Sequence, residues 1–404
     1  MREIILTIFI FGCVNESTEE FGKSDSFSEK TDIITEANNK FCLKLYSELK
    51  NEEKGNIFFS PYSISMAFSM VYEGARGKTA KEIQSVFHFP EKKGVRRKGF
   101  SELYKRLNKK EAKYEFRTAN ALWIQKEYKL LKNYIDVIKK YYGGEVMNVD
   151  FVNNTEKTRK TINKWVEKKT NNKIKNLFPK GSLNPSSRLV ITNAVYFKGI
   201  WLKQFDKKKT FKEDFIVNEK KIVKVPMMRI TGKDAKFNYA EIENLQILEL
   251  IYEGKELSML ILLPRSYDLK SLENSLTPQN LNRWRRKLKK QRVNVFIPKF
   301  TLNTKYILNG ILKRMGLKVP FSSIADFSGI TGAKDLFISS VIHQAFVDVN
   351  EEGTEAAAAT GVTMQVTSAP RYKIFRANHP FIFIIQERKT GSILFIGRVV
   401  NPLK

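Results

Sequence analysis

The chain of 404 residues is 42% hydrophobic and 28% charged, which suits one or two globular domains and excludes both a disordered polymer and a membrane-spanning bundle. Its 71 Lys and Arg against 42 Asp and Glu give a formal net charge of +29, so polyanions and anionic surfaces are plausible partners. Two cysteines (Cys13, Cys42) cannot build a disulfide framework, and three histidines without a CxxC are too few for a zinc or iron–sulfur centre, so no metal or other cofactor is implied.

The first segment, MREIILTIFIFGC, sets one Arg ahead of an apolar run from Ile4 to Phe11. That run is too short to span a bilayer and reads as an export signal over residues 1–13. Ile-Phe-Gly-Cys resembles the bacterial and archaeal lipoprotein signal, which would make Cys13 the lipid-bearing residue and place the protein outside the cell or on its surface. The competing reading is a start codon assigned upstream of an intracellular protein. Residues 14–31 are polar and rich in Ser and Glu, as a flexible tether would be.

From residue 32 to 404 no linker or internal repeat interrupts the chain, and one domain is expected. TDIITEANNKFCLKLYSELK predicts a helix with Ile34, Ala37, Phe41, Leu45 and Leu49 on one face and Cys42 in the core beside them. SPYSISMAFSMVYEG predicts a second, with Ser60 as N-cap, Pro61 in the first turn and Gly74 as the stop. Thr79 to Glu82 reads as a capping box opening a third. EKKGVRRKGFSELYKRLNKKEAK sets Phe100, Leu103 and Leu107 on one helical face, and the cations Arg96, Arg97, Lys98, Lys105, Arg106, Lys109 and Lys110 form a candidate polyanion site. Further basic runs lie at 166–175, 206–210 and 283–292, and a merely solvated surface explains them equally well. Strand-like runs then dominate: RTANALWIQ, RLVITNAVYFKG, LSMLILLP, VNVFIPKF, SSVIHQAFVDVN, HPFIFII and GSILFIGRVV. The class is α+β with a large sheet.

VNEEGTEAAAATGVTMQVTSAP, from Val349 to Pro370, fits no ordinary element. Its small residues pack poorly in a finished sheet, its β-branched residues oppose a long helix, and it is too long for a simple loop. As a strand it alternates: Thr354, Ala356, Ala358, Thr360, Val362, Met364 and Val366 share one face, small and then apolar. Its other face carries one charge, Glu355.

Four stretches in order carry a resemblance: NIFFSPYSISMAFSMVYEGARGKTAKEI, TNAVYFKGIWLKQFD, VIHQAFVDVNEEGTEAAAATG and HPFIFIIQERKTGSILFIGRVVNP. Together they resemble the serpin family over residues 32–404. The resemblance implies a single α+β domain with three β-sheets, about eight to nine helices and an exposed reactive-centre loop at about 351–374. It also implies a monomer that traps serine, or cysteine, endopeptidases as a suicide substrate, the cut loop entering the main sheet as a new strand. The hinge would be Glu351, Glu352, Gly353, Thr354, Glu355, Ala356, Ala357, Ala358 and Ala359. Ser60, Asn193 and His343 match the polar cluster beneath the sheet centre. Trp201, Lys299 and Glu351 match the point where insertion begins.

Counting 14 residues from Gly353, as is usual in the family, puts the bait bond at Thr367–Ser368. Thr367 would suit a protease with a small S1 pocket, elastase-like or subtilisin-like, whereas the nearby Arg371 would attract a trypsin-like one. The basic helix corresponds to one through which some serpins bind heparin-like chains, so an anionic polymer or envelope is a second expected partner. The alternatives are a non-inhibitory serpin (carrier, chaperone or store) and a polyanion-binding protein on a serpin scaffold. An enzyme is not expected: GxSxG, HExxH, GxGxxG and Walker motifs are all missing from the sequence.

Overall fold

In the computed structural model, which describes residues 29–109, 112–354 and 372–404, apolar periodicity becomes helices in the expected places. Helix α1 (Glu29–Glu52) buries Ile34, Ala37, Phe41, Cys42, Leu45 and Leu49 along one face. It starts ahead of residue 31, so the expected tether ends earlier. Thr31 is buried and its hydroxyl donates to Glu102 at 2.7 Å, which ties the first turn down.

Helix α2 (Pro61–Gly74) is buried almost all round, as befits a helix at the centre of the molecule. Ser60 caps it by accepting from the Ser63 N–H, and the helix ends at Gly74 as expected. Helix α3 (Gly77–Phe87) has no side-chain cap, so the Thr79–Glu82 capping box is not formed. Both residues serve longer-range contacts instead: Thr79 accepts from Asp326 N–H, and Glu82 from the N–H groups of Lys318 and Val319. Then come α4 (Lys93–Leu107), α5 (Lys132–Tyr142), α6 (Phe151–Lys169), α7 (Leu269–Ser275), α8 (Pro278–Lys287), α9 (Asn309–Arg314) and α10 (Ser328–Thr331). The described residues thus hold ten α-helical segments, the last of only four residues, against the eight or nine expected.

One sheet has six strands, in spatial order β11 (Phe300–Ile307), β12 (Ile338–Val349), β13 (Gly353–Thr354), β4 (Leu189–Ile200), β2 (Tyr114–Gln125) and β3 (Glu145–Val149). A ten-strand ribbon runs β1 (Ile57–Phe59), β16 (Ile393–Val399), β15 (Phe381–Glu387), β9 (Leu257–Pro264), β8 (Leu245–Ile251), β7 (Lys236–Ile242), β10 (Lys289–Pro298), β6 (Lys221–Ile230), β5 (Phe211–Asn218), with β14 (Lys373–Arg376) alongside β10. Strand β10 pairs with β7 through Lys289–Arg292, and with β6 and β14 through its second half. The ribbon is therefore two sheets sharing a strand, and three sheets in all result.

Period-2 alternation gives the six-strand sheet two apolar faces. Ala119, Ala121, Trp123, Val190, Ala194 and Ile342 pack on the outside with Ile162 and Val166 of α6. Leu122, Ile191, Val195, Phe197, Val341 and Ala345 face the main core inside. Among the described residues no helix is long and apolar enough to cross a membrane. The candidate residues Cys13, Lys110, Glu355, Ala356, Ala357, Ala358, Ala359, Thr367 and Ser368 lie outside the described residues.

Candidate functional site

The centre of the six-strand sheet is closed below and wedged open above. Strands β12 and β4 run parallel and pair directly from Ile338 and Leu189 to Phe346 and Tyr196. Above that point they part, and β13 fills the gap: Thr354 pairs with Val349 on one side and Gly199 on the other. Gly353 pairs with Ile200, and only glycine fits there, because an added Cβ would stand 2.0 Å from the Gly199 carbonyl oxygen. Two residues of the expected hinge are thus already a strand.

The turn leading into β13 is held from several sides. Trp201 N–H donates to Glu352 O and its indole N–H to Asn350 O, at 2.9 and 3.0 Å. Phe205 N–H donates to Glu351 O at 2.8 Å. The buried Glu351 carboxylate accepts from Thr210 Oγ1 and pairs with Lys299, each at 2.8 Å. Burial pushes this carboxyl up, but the bonds from Lys299, its own backbone and Thr210 outweigh it and hold it below the usual range. Glu352, also buried, pairs with Lys207. Thr354 is fully buried, with its hydroxyl 2.9 Å from Tyr252 OH. The Tyr252 ring lies against Trp201 (centroids 4.4 Å apart) and edge-on to Phe197 (5.1 Å). Trp201, Lys299 and Glu351 therefore come together as expected. Thr210, Lys207 and Tyr252, which no local pattern singles out, complete the clamp.

Lower down, a polar row crosses four strands in register: Tyr306, His343, Asn193 and Asn120. His343 Nε2 accepts from Ser60 N–H at 3.1 Å, so its proton sits on Nδ1 and points to Asn193 Oδ1. Asn193 Nδ2 donates to the carbonyl and hydroxyl oxygens of Ser63, both at 2.8 Å, and to Asn120 Oδ1. Ser60 Oγ donates to Leu394 O at 2.7 Å. Burial pushes the His343 pKa down to about 3, so the ring is neutral and its role is to join β12 to β4 and α2. Ser60, Asn193 and His343 meet as expected. Ser63 and Asn120 belong to the same network, and the signal for Asn120 was a lone amide within the otherwise apolar ANALWI.

The basic helix presents only part of the expected set of cations to solvent. Arg96 is buried on α4, pairs with Glu73 at 3.0 Å, donates to Pro90 O and lies over the Tyr72 ring. Arg97 grips the same carboxylate with two nitrogens, and Tyr142 donates to it at 2.6 Å. Arg106 pairs with Glu387 and Lys109 with Glu256, at 2.6 and 3.0 Å. Arg96 is thus corrected from a polyanion ligand to a buried structural partner, whereas Arg97 and Arg106, ion-paired, stay partly exposed and Lys109 stays exposed. Lys98 and Lys105 are exposed. Among the described residues no group of His, Cys, Asp and Glu could hold a metal.

Comparison with known proteins agrees with this geometry. Residues 36–402 match the family model described as Serpin (serine protease inhibitor). The chain is 42% identical to an uncharacterized serpin-like protein of Methanosarcina acetivorans, over 98% of this chain and 96% of that one. It is also 42% identical to the human leukocyte elastase inhibitor, over 91% of this chain and 99% of that one. Human thyroxine-binding globulin, solved in complex with thyroxine, superposes with a TM-score of 0.84 at 33% identity, over 92% of this chain and 99% of that one.

Proposed function

Since the chain belongs to the serpin family, we propose that it is an inhibitory member, a suicide substrate for serine endopeptidases. The observation that carries this reading is the seated hinge. Gly353 and Thr354 already pair with both β12 and β4, and the sequence that follows is small and alternating. A strand that enters a sheet must desolvate every residue on its buried face, so a charge or Pro early on would stop it. None stands on the Thr354 face up to Val366.

The chemistry is acyl transfer. The protease serine attacks the Thr367 carbonyl carbon, an ester forms, and the peptide bond to Ser368 breaks with its amine taking the proton. The freed limb then extends β13 downward between β4 and β12 and carries the ester-linked protease with it. Thr367 fits a small S1 pocket, so elastase-like and subtilisin-like enzymes are the proposed targets, as the similarity to an elastase inhibitor also suggests. Export by residues 1–13, with Cys13 lipidated, would put the inhibitor where such proteases act.

Incubation with pancreatic elastase, subtilisin and trypsin tests the reading. A protease–inhibitor band that survives a denaturing gel is expected with the first two, together with released peptide beginning at Ser368. A loop cut by all three enzymes without any covalent band would refute inhibition and leave a carrier or store.

A further inference from the structure

Two neighbouring asparagines lie in the first turn of helix α6, and the fold ties down the side chain of only one. Asp150 caps the helix by accepting from the Asn153 N–H at 2.9 Å. Its second oxygen takes the side-chain amide of Asn154 at 2.8 Å and pairs with Lys126 at 2.9 Å. Asn154 is thereby part of the cap. The Asn153 side chain is exposed, and its amide makes no hydrogen bond among the described residues. Thr155 completes the triplet Asn-Asn-Thr, its hydroxyl donating to Phe151 O at 2.5 Å. Asn-x-Ser/Thr, with x other than Pro, is the acceptor pattern for N-linked sugar. The asparagine that the pattern needs is the one that the fold leaves unused. Among the described residues no other asparagine heads such a triplet, since Asn184 is barred by Pro185; Asn15-Glu16-Ser17 lies outside them.

The backbone also sets this triplet apart. Asn154 has φ −134° and ψ 40°, outside helical geometry, so the regular helix begins only after the middle residue. Asn153 therefore stands on a single turn, separated by a kink from the rest of α6. That turn is at the end of the six-strand sheet away from the hinge. Val149, the last residue of β3, pairs with Gln125, and the preceding Ile124 pairs with Leu189, the first residue of β4. From Leu189 to Gly199, which faces Thr354, β4 climbs about 33 Å. A glycan on Asn153 thus leaves the end at which the loop starts open to a protease.

We propose that Asn153 is an N-glycosylation site, its donor an oligosaccharide carried on a polyprenyl phosphate or diphosphate. The Asn153 side-chain nitrogen attacks the anomeric carbon of that sugar and a C–N bond forms. The bond from the same carbon to the phosphate oxygen breaks, its electron pair leaves with the phosphate, and the nitrogen gives one proton to a base of the transferase. Export, proposed above, would bring the site to such an enzyme, and the test imposes export so that the two readings fail separately.

The full chain is expressed behind a secretion signal of a host that carries an oligosaccharyltransferase and its lipid-linked donor, and the secreted protein is digested with trypsin. Residues 141–157 form one peptide, distinct from the one that holds Asn15. Most of it is expected to carry a glycan, and enzymatic release should leave aspartate at position 153. Asn153→Gln and Thr155→Ala should each lose the glycan, and Thr155→Ser should keep it. Asn154→Ala removes the contact to Asp150 but not the triplet, so it should keep the glycan too. A bare 141–157 peptide from the secreted wild type overturns the proposal, whether or not Asn15 is modified. A glycan that persists in Thr155→Ala, or is lost in Asn154→Ala, overturns its assignment to the triplet. Elastase should cut the loop of the glycosylated and Asn153→Gln proteins at the same rate. A cut at least threefold slower with the glycan overturns its placement at the far end.

Discussion

Thr354→Arg places the proposed mechanism under direct test. Thr354 is fully buried, and its hydroxyl is the 2.9 Å partner of Tyr252, whose ring is packed against Trp201 and Phe197. An arginine there removes that partner, and an orphaned buried hydroxyl costs about 1–3 kcal/mol. The guanidinium itself, desolvated beside aromatic rings, adds several kcal/mol more. In the uncut protein the strain is relieved by backing residues 353 and 354 out of the gap, which gives up the few pairs of β13. Insertion cannot avoid it, because residue 354 must pass back into the gap before the rest of the limb can follow. The penalty therefore falls on the insertion step, and about 3 kcal/mol there slows it roughly 150-fold. Hydrolysis of the acyl-enzyme, which the substitution does not touch, then wins. The assay is the number of inhibitor molecules consumed per protease trapped, read from cleaved and covalent bands on one denaturing gel. That number should rise from near one toward a hundred, with the rate of loop cleavage unchanged. Thr354→Ser, small and still hydroxylated, should keep trapping. Unchanged stoichiometry in Thr354→Arg would refute the account of the hinge.

Two further outcomes follow from the buried groups. His343 has a folded pKa of about 3 against an ordinary 6.5, so the unfolded chain takes up its proton first. Stability is then full above about pH 6.5 and falls by about 1.4 kcal/mol per unit as pH drops toward 3; urea midpoints at pH 7.5 and 5.5 should show this slope flattened in His343→Gln. Arg96→Ala should destabilise the protein by about 2–3 kcal/mol, below the usual loss for a broken buried pair because Arg97 and Tyr142 still hold Glu73, while leaving heparin retention unchanged. Urea midpoints and a heparin column check it, and an unmoved midpoint would return Arg96 to the surface.

Legibility in the sequence followed the range of the interactions. Ser60 and Pro61 declare a helix start by local chemistry, so it was readable without a partner in view. The polar cluster at Ser60, Asn193 and His343 was readable through family resemblance, since nothing local says that residues 60, 193 and 343 meet. Ser63 and Asn120 escaped because their importance lies in the register of β2 on β4, which sets Asn120 opposite Asn193. Arg96 misled for the same reason. Arg96 and Arg97 look free in sequence, and their acid, Glu73, arrives on a different helix, with Tyr142 from a third. The capping box was a local motif whose two members were both drawn into contacts more than 200 residues away.

The register of β13 leads to the last prediction. Thr354 lies opposite Gly199 on β4 and Val349 on β12. Each residue that follows it into the gap moves one position down both neighbours. Six steps bring residue 360 level with Asn193 on one side and His343 on the other, the pair that joins the two strands in the closed sheet. When the strands part, the bond between His343 Nδ1–H and Asn193 Oδ1 is lost, and both groups stay buried. Position 360 shares the face of Thr354, and Thr354 points inward to Tyr252, so a residue there meets the polar row from the correct side. Thr360, with one donor and two acceptor sites, can replace what the row loses; valine has the same shape and can replace none of it. Thr360→Val should therefore leave the uncut protein's melting temperature as it was and lower that of the cut form, by the equivalent of about 1–3 kcal/mol for an unsatisfied buried group. Thr360→Ser should restore it. A cut Thr360→Val protein that melts with the wild type would mean that the limb enters in another register, or stops before it reaches the row.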